Sequence, residues 1–145
     1  MSKKYLILAI ILIVGGILYL PVRAVMAADV PDTIKLESKV YPKHTKSIVT
    51  FPHKKHAVDK KIACTECHHV FEDGKNVWKE GDEVKKCDAC HSEPKKPSGL
   101  KVSKAENIKR FHYTAIHANC RGCHSDLKKK NEATGPTTCN DCHKK

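Results

Sequence analysis

Large apolar side chains are scarce in this 145-residue chain once its first segment is set aside. Residues 28–145 contain 19 Leu, Ile, Val and Phe, about 16%, below the ~20% under which a charged chain is expected to stay disordered. Such a polypeptide cannot build a sufficient apolar core, so disulfides, metal ions or a large cofactor must supply one. Methionine is confined to Met1 and Met26. Aromatic residues are 6% of the chain, too few for a base-stacking surface, which counts against nucleic acid despite a formal net charge of +11. No Gly-rich phosphate loop, Ser/His/Asp order or nucleotide fingerprint is evident.

The long apolar run that does occur is at the start. Met1-Ser2-Lys3-Lys4 is followed by an apolar stretch from Tyr5 to Leu20, then by small residues at Val25 and Ala27. This order predicts an export signal, residues 1–27, cut between Ala27 and Ala28. The alternative is a retained anchor, but 16 residues fall short of the ~18–20 of a spanning helix, and Gly15-Gly16 and Pro21 interrupt it. Cleavage would remove both methionines together with Lys3, Lys4 and Arg23, lowering the charge to +8 and leaving residues 28–145 as one domain.

Eight cysteines are present, and every one belongs to the same pattern written four times. The copies are Cys64-Cys67-His68, Cys87-Cys90-His91, Cys120-Cys123-His124 and Cys139-Cys142-His143. C-x-x-C-H is the attachment signature of c-type haem: two thiols form thioethers with the vinyl groups, and the adjacent histidine becomes an axial ligand of the iron. A disulfide scaffold gives no reason for a histidine after every second cysteine, and a zinc ribbon ignores that position. The pattern therefore predicts four covalently attached haems c. Export agrees, because such attachment takes place outside the cytoplasm.

Each iron then needs a second axial ligand, and without methionine the strong candidates are histidines. Six remain: His44, His53, His56, His69, His112 and His117. His53 and His56 follow Pro52 three residues apart, so a helical turn would set them on one side, able to reach two different haems. The stretch "SKAENIKRFHYTAIHAN" predicts a helix capped by Ser103 and Glu106 and ending before Asn119. On its wheel Ile108, Phe111, Ala115 and Ile116 form an apolar stripe that includes His112, with His117 nearly opposite. Periodicity taken alone favours His112 over His117 as the buried ligand.

"VTFPHKKHAVDKKIACTECHHV" resembles the opening of the class III tetrahaem cytochromes c, the cytochrome c3 group, and the likeness continues through "YTAIHANCRGCH" to the last motif, roughly Ile48 to Lys145. The resemblance implies a small, loop-rich fold with a few short helices, wrapped around four clustered haems. It also implies a crossed ligand scheme. His53 would serve the haem of Cys64 and Cys67, and His56 that of Cys120 and Cys123. His69 would serve the haem of Cys87 and Cys90, and His117 that of Cys139 and Cys142. The counterpart of Phe51 packs beside the first and third haems in that family. His44 and His112 would then be spare. Some members use a longer C-x₄-C-H spacing at the second and fourth haems; here all four are C-x-x-C-H, and the interval from His117 to Cys120 is tight.

The remaining segments predict a short hairpin in residues 28–51, from "TIKL" and "SIVTF". "EDGKN" (72–76) and "SEPKKPSG" (92–99) read as turns or loops. Two propionates on each haem would offset much of the lysine charge. The resemblance implies that lysines near the fourth haem, Lys128–Lys130, Lys144 and Lys145 here, dock acidic redox partners such as a periplasmic hydrogenase or a membrane redox complex. The expected function is an exported, low-potential electron carrier, not an enzyme. The rivals are a multihaem reductase with an open iron site, and a haem subunit of a quinone-linked membrane complex, which requires the first segment to be retained.

Overall fold

A computed structural model describes residues 30–144; residues 1–29 and Lys145, and with them the expected leader 1–27, lie outside the described residues. Strands β1 (Ile34–Lys35) and β2 (Thr50–Phe51) pair antiparallel with Ile34 opposite Phe51, and the Leu36 N–H extends the ladder to the Val49 carbonyl at 2.9 Å. The expected N-terminal hairpin is thus present. Pro52, which has no N–H to give, follows β2 directly.

A second hairpin, β3 (Phe71–Glu72) with β4 (Lys75–Asn76), stands where the sequence reading has only a turn. Asp73 and Gly74 both adopt positive φ, 48° and 77°, the combination of the tight turn that matches strand twist. The flanking strands are too short to carry a periodic signal.

The helical parts are a π-helical turn at Lys55–Asp59, 3₁₀ turns at Cys64–Glu66 and Cys87–Ala89, and three α-helices. These are α1 (Lys104–Arg110), α2 (His112–Lys129) and α3 (Cys139–Cys142). The Ser103 hydroxyl accepts the Glu106 N–H at 3.1 Å and starts α1 as expected. The single helix ending before Asn119 is corrected in two ways: the helix breaks at Phe111, and α2 runs on to Lys129 through the third haem motif.

The break has a packing cause. Phe111 is fully buried and takes an extended conformation (φ −99°, ψ 116°). It bridges in parallel to Glu93, which accepts the His112 N–H at 2.8 Å, while Pro94 accepts that of Tyr113 at 2.9 Å. The Arg110 guanidinium grips the Glu93 carboxylate through two bonds, 2.8 and 3.1 Å. Because the helix restarts at His112, a wheel drawn continuously from Ser103 loses its phase there.

Among the described residues only Trp78, Phe111 and Ala115 are buried apolar side chains, joined by buried Ser38 and His112. Val58, Val84 and Phe71 are exposed. No helix of the described residues is long and apolar enough to cross a membrane. Phe111→Ala should therefore cost about 3–5 kcal/mol, whereas Val84→Ala at an exposed site should stay within ~0.5 kcal/mol; denaturant unfolding of the two variants measures both.

Candidate metal centres

None of the eight cysteines is in a disulfide, and each motif closes the same local turn. The His68 N–H donates to the Cys64 carbonyl at 2.8 Å, His91 to Cys87 at 2.9 Å, and His143 to Cys139 at 2.8 Å. In the third motif the turn is part of α2. One helical turn brings residues i, i+3 and i+4 to a common side, which is why two thiols and a histidine at this spacing can hold one planar group. Burial pushes the Cys120 thiol up to about 11, and burial likewise raises those of Cys67, Cys87 and Cys142.

Each motif histidine faces one other histidine. Ring centroids stand 6.2 Å apart for His53 and His68, 6.0 Å for His69 and His91, 6.1 Å for His56 and His124, and 6.3 Å for His117 and His143. A metal–imidazole bond is about 2 Å and the centroid lies roughly 1 Å behind the nitrogen, so two rings sharing one iron stand about 6 Å apart. The pairs brought together are those of the crossed scheme. Phe51 lies between two of them, 5.9 Å from His53 and 4.5 Å from His56.

Backbone carbonyls orient most of these rings. The Nδ1 atoms of His56, His91, His117, His124 and His143 meet the carbonyls of Pro52, Lys109, Tyr113, Pro136 and Ser47 at 2.7–2.9 Å. A carbonyl can only accept, so Nδ1 carries the proton and the Nε2 lone pair is left for a metal. His124 is held most closely: the Thr134 hydroxyl donates to its carbonyl at 2.8 Å. A Cβ on Gly135 would come within 2.6 Å of its ring.

His112 takes another role. It is buried, its Nδ1 stands 3.0 Å from the Tyr41 hydroxyl, and desolvation lowers its pKa. Tyr41 also packs 5.5 Å from His44. Asp88, inside the second motif, accepts from the Lys39 N–H at 3.0 Å and the Ser38 hydroxyl at 2.9 Å, and these bonds, the Lys39 one foremost, hold its carboxyl below the usual range. This contact pins the N-terminal segment to the second haem motif. Sequence reasoning missed Tyr41, Asn76, Trp78 and Gly135. The Asp73-Gly74 turn was the available signal for two of them, since a hairpin there returns Asn76 and Trp78 to the first motif.

Residues 27–143 match the Class III cytochrome C family. The chain is 41% identical to a cytochrome c3 of Maridesulfovibrio salexigens, covering 81% of this chain and 97% of that protein. It is 29% identical to the 26 kDa cytochrome c3 of Desulfomicrobium norvegicum, over 79% of this chain and 96% of the other. Among solved structures, the di-tetraheme cytochrome c3 of Desulfovibrio gigas superimposes with a TM-score of 0.53 at 26% identity, over 81% of this chain and 99% of that one. The chain belongs to the class III cytochromes c.

The residues fit the family's cofactor. Among the described residues the buried polar side-chain atoms without a partner are His53 Nδ1 and Trp78 Nε1, both on rings that pack against His68 of the first motif. The apolar core is three side chains, leaving the interior to the porphyrins. The protein carries four covalent haems c and is a multihaem electron-transfer protein. Gly135→Ala should displace the His124 ring and cost about 1–3 kcal/mol, the usual range for inserting a methyl into a packed site; a loss of low-spin absorbance from one haem in four, with unchanged haem number by mass, is the expected reading.

Proposed function

We propose that this chain is an exported, low-potential electron carrier whose four irons are each held between two histidines, in the pairs His53/His68, His69/His91, His56/His124 and His117/His143. The carrying observation is the set of four ring separations, 6.0–6.3 Å, one for each thiol pair. Bound haem supplies one-electron chemistry, the iron alternating between ferric and ferrous states. The residues confine it to that. Filling both axial positions leaves no site for a small substrate, and imidazole on both faces gives a lower potential than a histidine–methionine set. The carbonyl bonds to Nδ1 add to this by making the ligands better donors to the ferric state. His68 and His69 are consecutive, so the first two centres are joined by a two-residue strut, and Phe51 fills the space between the first and third pairs.

Intact mass of the exported protein should equal residues 28–145 plus four haems, and the ferric spectrum should be wholly low-spin. His69→Ala should perturb the second centre and leave the first low-spin. A high-spin fraction or cyanide binding in the unaltered protein sinks the carrier reading in favour of a reductase, and a mass that retains residues 1–27 favours a membrane-anchored subunit.

The docking face is the basic surface beside the fourth motif. Arg121, Lys128 and Lys129, with Ser125, Thr137 and Thr138, line an open cavity of about 420 Å³. Thr138 caps α3 through Asp141, so the charges sit next to Cys139. A partner of matching acidic charge, such as a hydrogenase or a membrane redox complex, would be steered there. Reversing Lys128, Lys129 and Lys130 to Glu should slow association about tenfold or more at low salt, and the difference should shrink with ionic strength; stopped-flow electron transfer measures it, and an unchanged, salt-independent rate removes this face from docking.

A further inference from the structure

The four facing pairs fall into two classes by the angle between their ring planes. His53/His68 cross at 85° and His69/His91 at 75°, while His56/His124 and His117/His143 lie at 23° and 33°. All four rings of the near-parallel class are held by a carbonyl on Nδ1. In the crossed class only His91 is so held. His53 Nδ1 is buried without a partner, and among the described residues His68 Nδ1 meets no acceptor either. What His68 does meet is the indole of Trp78, stacked at 4.9 Å and 27°.

The contact is built by the second hairpin. Asn76 at its end donates to the His68 carbonyl at 3.1 Å, and its own carbonyl oxygen accepts from the N–H groups of Val70 (3.0 Å) and Trp78 (3.2 Å). Asn76 thus clamps the first motif and sets the buried Trp78 against its histidine. With no hydrogen bond to fix the torsion of His68 about its metal axis, the flat indole does so.

We propose that Trp78 is a positioning residue for the first centre: it holds the His68 imidazole across the plane of His53. This rests on the histidine pairing proposed above. An imidazole donates π density at right angles to its own plane, so parallel rings raise one iron dπ orbital and leave a rhombic ferric centre. Crossed rings raise both equally and leave a nearly degenerate pair with a strongly anisotropic, large-g signal. Rings without a carbonyl on Nδ1 are also poorer donors to ferric iron. The crossed centres are therefore reduced before the near-parallel ones.

The test is low-temperature electron paramagnetic resonance of the four-haem ferric protein. The expected spectrum has two large-g and two rhombic low-spin centres, and the large-g signals vanish first on reductive titration. Trp78→Leu should lower the large-g intensity by about half, from two centres to one, with Trp78→Phe restoring it. Trp78→Met, with no flat face, replaces the leucine variant if mass shows that variant short of haem. Unchanged large-g intensity in the leucine or methionine variant overturns the role of Trp78, and rhombic signals that vanish first overturn the order of reduction. Four low-spin centres that are all rhombic overturn the ring-plane assignment alone, whereas a high-spin signal in the unaltered protein overturns the histidine pairing beneath it.

Discussion

Four facing histidine pairs beside four thiol pairs, with almost no buried aliphatic side chains among the described residues, are the constraint on which the rest of the structure depends. Trp78, Phe111 and Ala115 are the buried apolar residues among those described, far too few to offset the conformational entropy of some hundred ordered residues. Four porphyrins provide the missing apolar mass, and eight covalent bonds hold them to the chain. Short strands and single helical turns are then sufficient, because each has only to present a thiol, a histidine or a carbonyl at one place on a porphyrin.

Carbonyls do most of that presenting. Pro52, Lys109, Tyr113, Pro136 and Ser47 lie in five different segments, and each turns one imidazole so that Nε2 faces inward. The Ser47 contact with His143 ties the loop before β2 to the last motif. The first motif is the exception: its histidine rests on an indole, and the hairpin that carries that indole is clamped by Asn76. Such variation in how ligands are held allows four chemically identical cofactors to differ from one another in one small protein.

Outside the haem sites, structure collects around buried Phe111. Its extended conformation divides α1 from α2, gives Glu93 a backbone partner and sets the phase of the helix that carries His117 and the third motif. Buried His112 next to it bonds to Tyr41 instead of facing a motif histidine. The apolar stripe that drew attention to His112 was therefore a true sign of burial, and burial here serves packing.

The sequence by itself determined the cofactor, its number and the thiols that hold it, because C-x-x-C-H is a local device: one turn of chain brings its three residues to the same side whatever the fold. The N-terminal hairpin and the Ser103 cap were legible for the same reason. Tertiary structure decided what depends on distant segments meeting. It broke the helix at Phe111, carried α2 past Asn119 to Lys129, made a hairpin of Phe71 to Asn76 and set the angle between each pair of rings. It also resolved the two consecutive histidines, turning His68 towards His53 and Trp78 and His69 towards His91. A ring's torsion is fixed by whichever carbonyl or aromatic plane reaches it, and that partner can lie 96 residues away, as Ser47 does from His143.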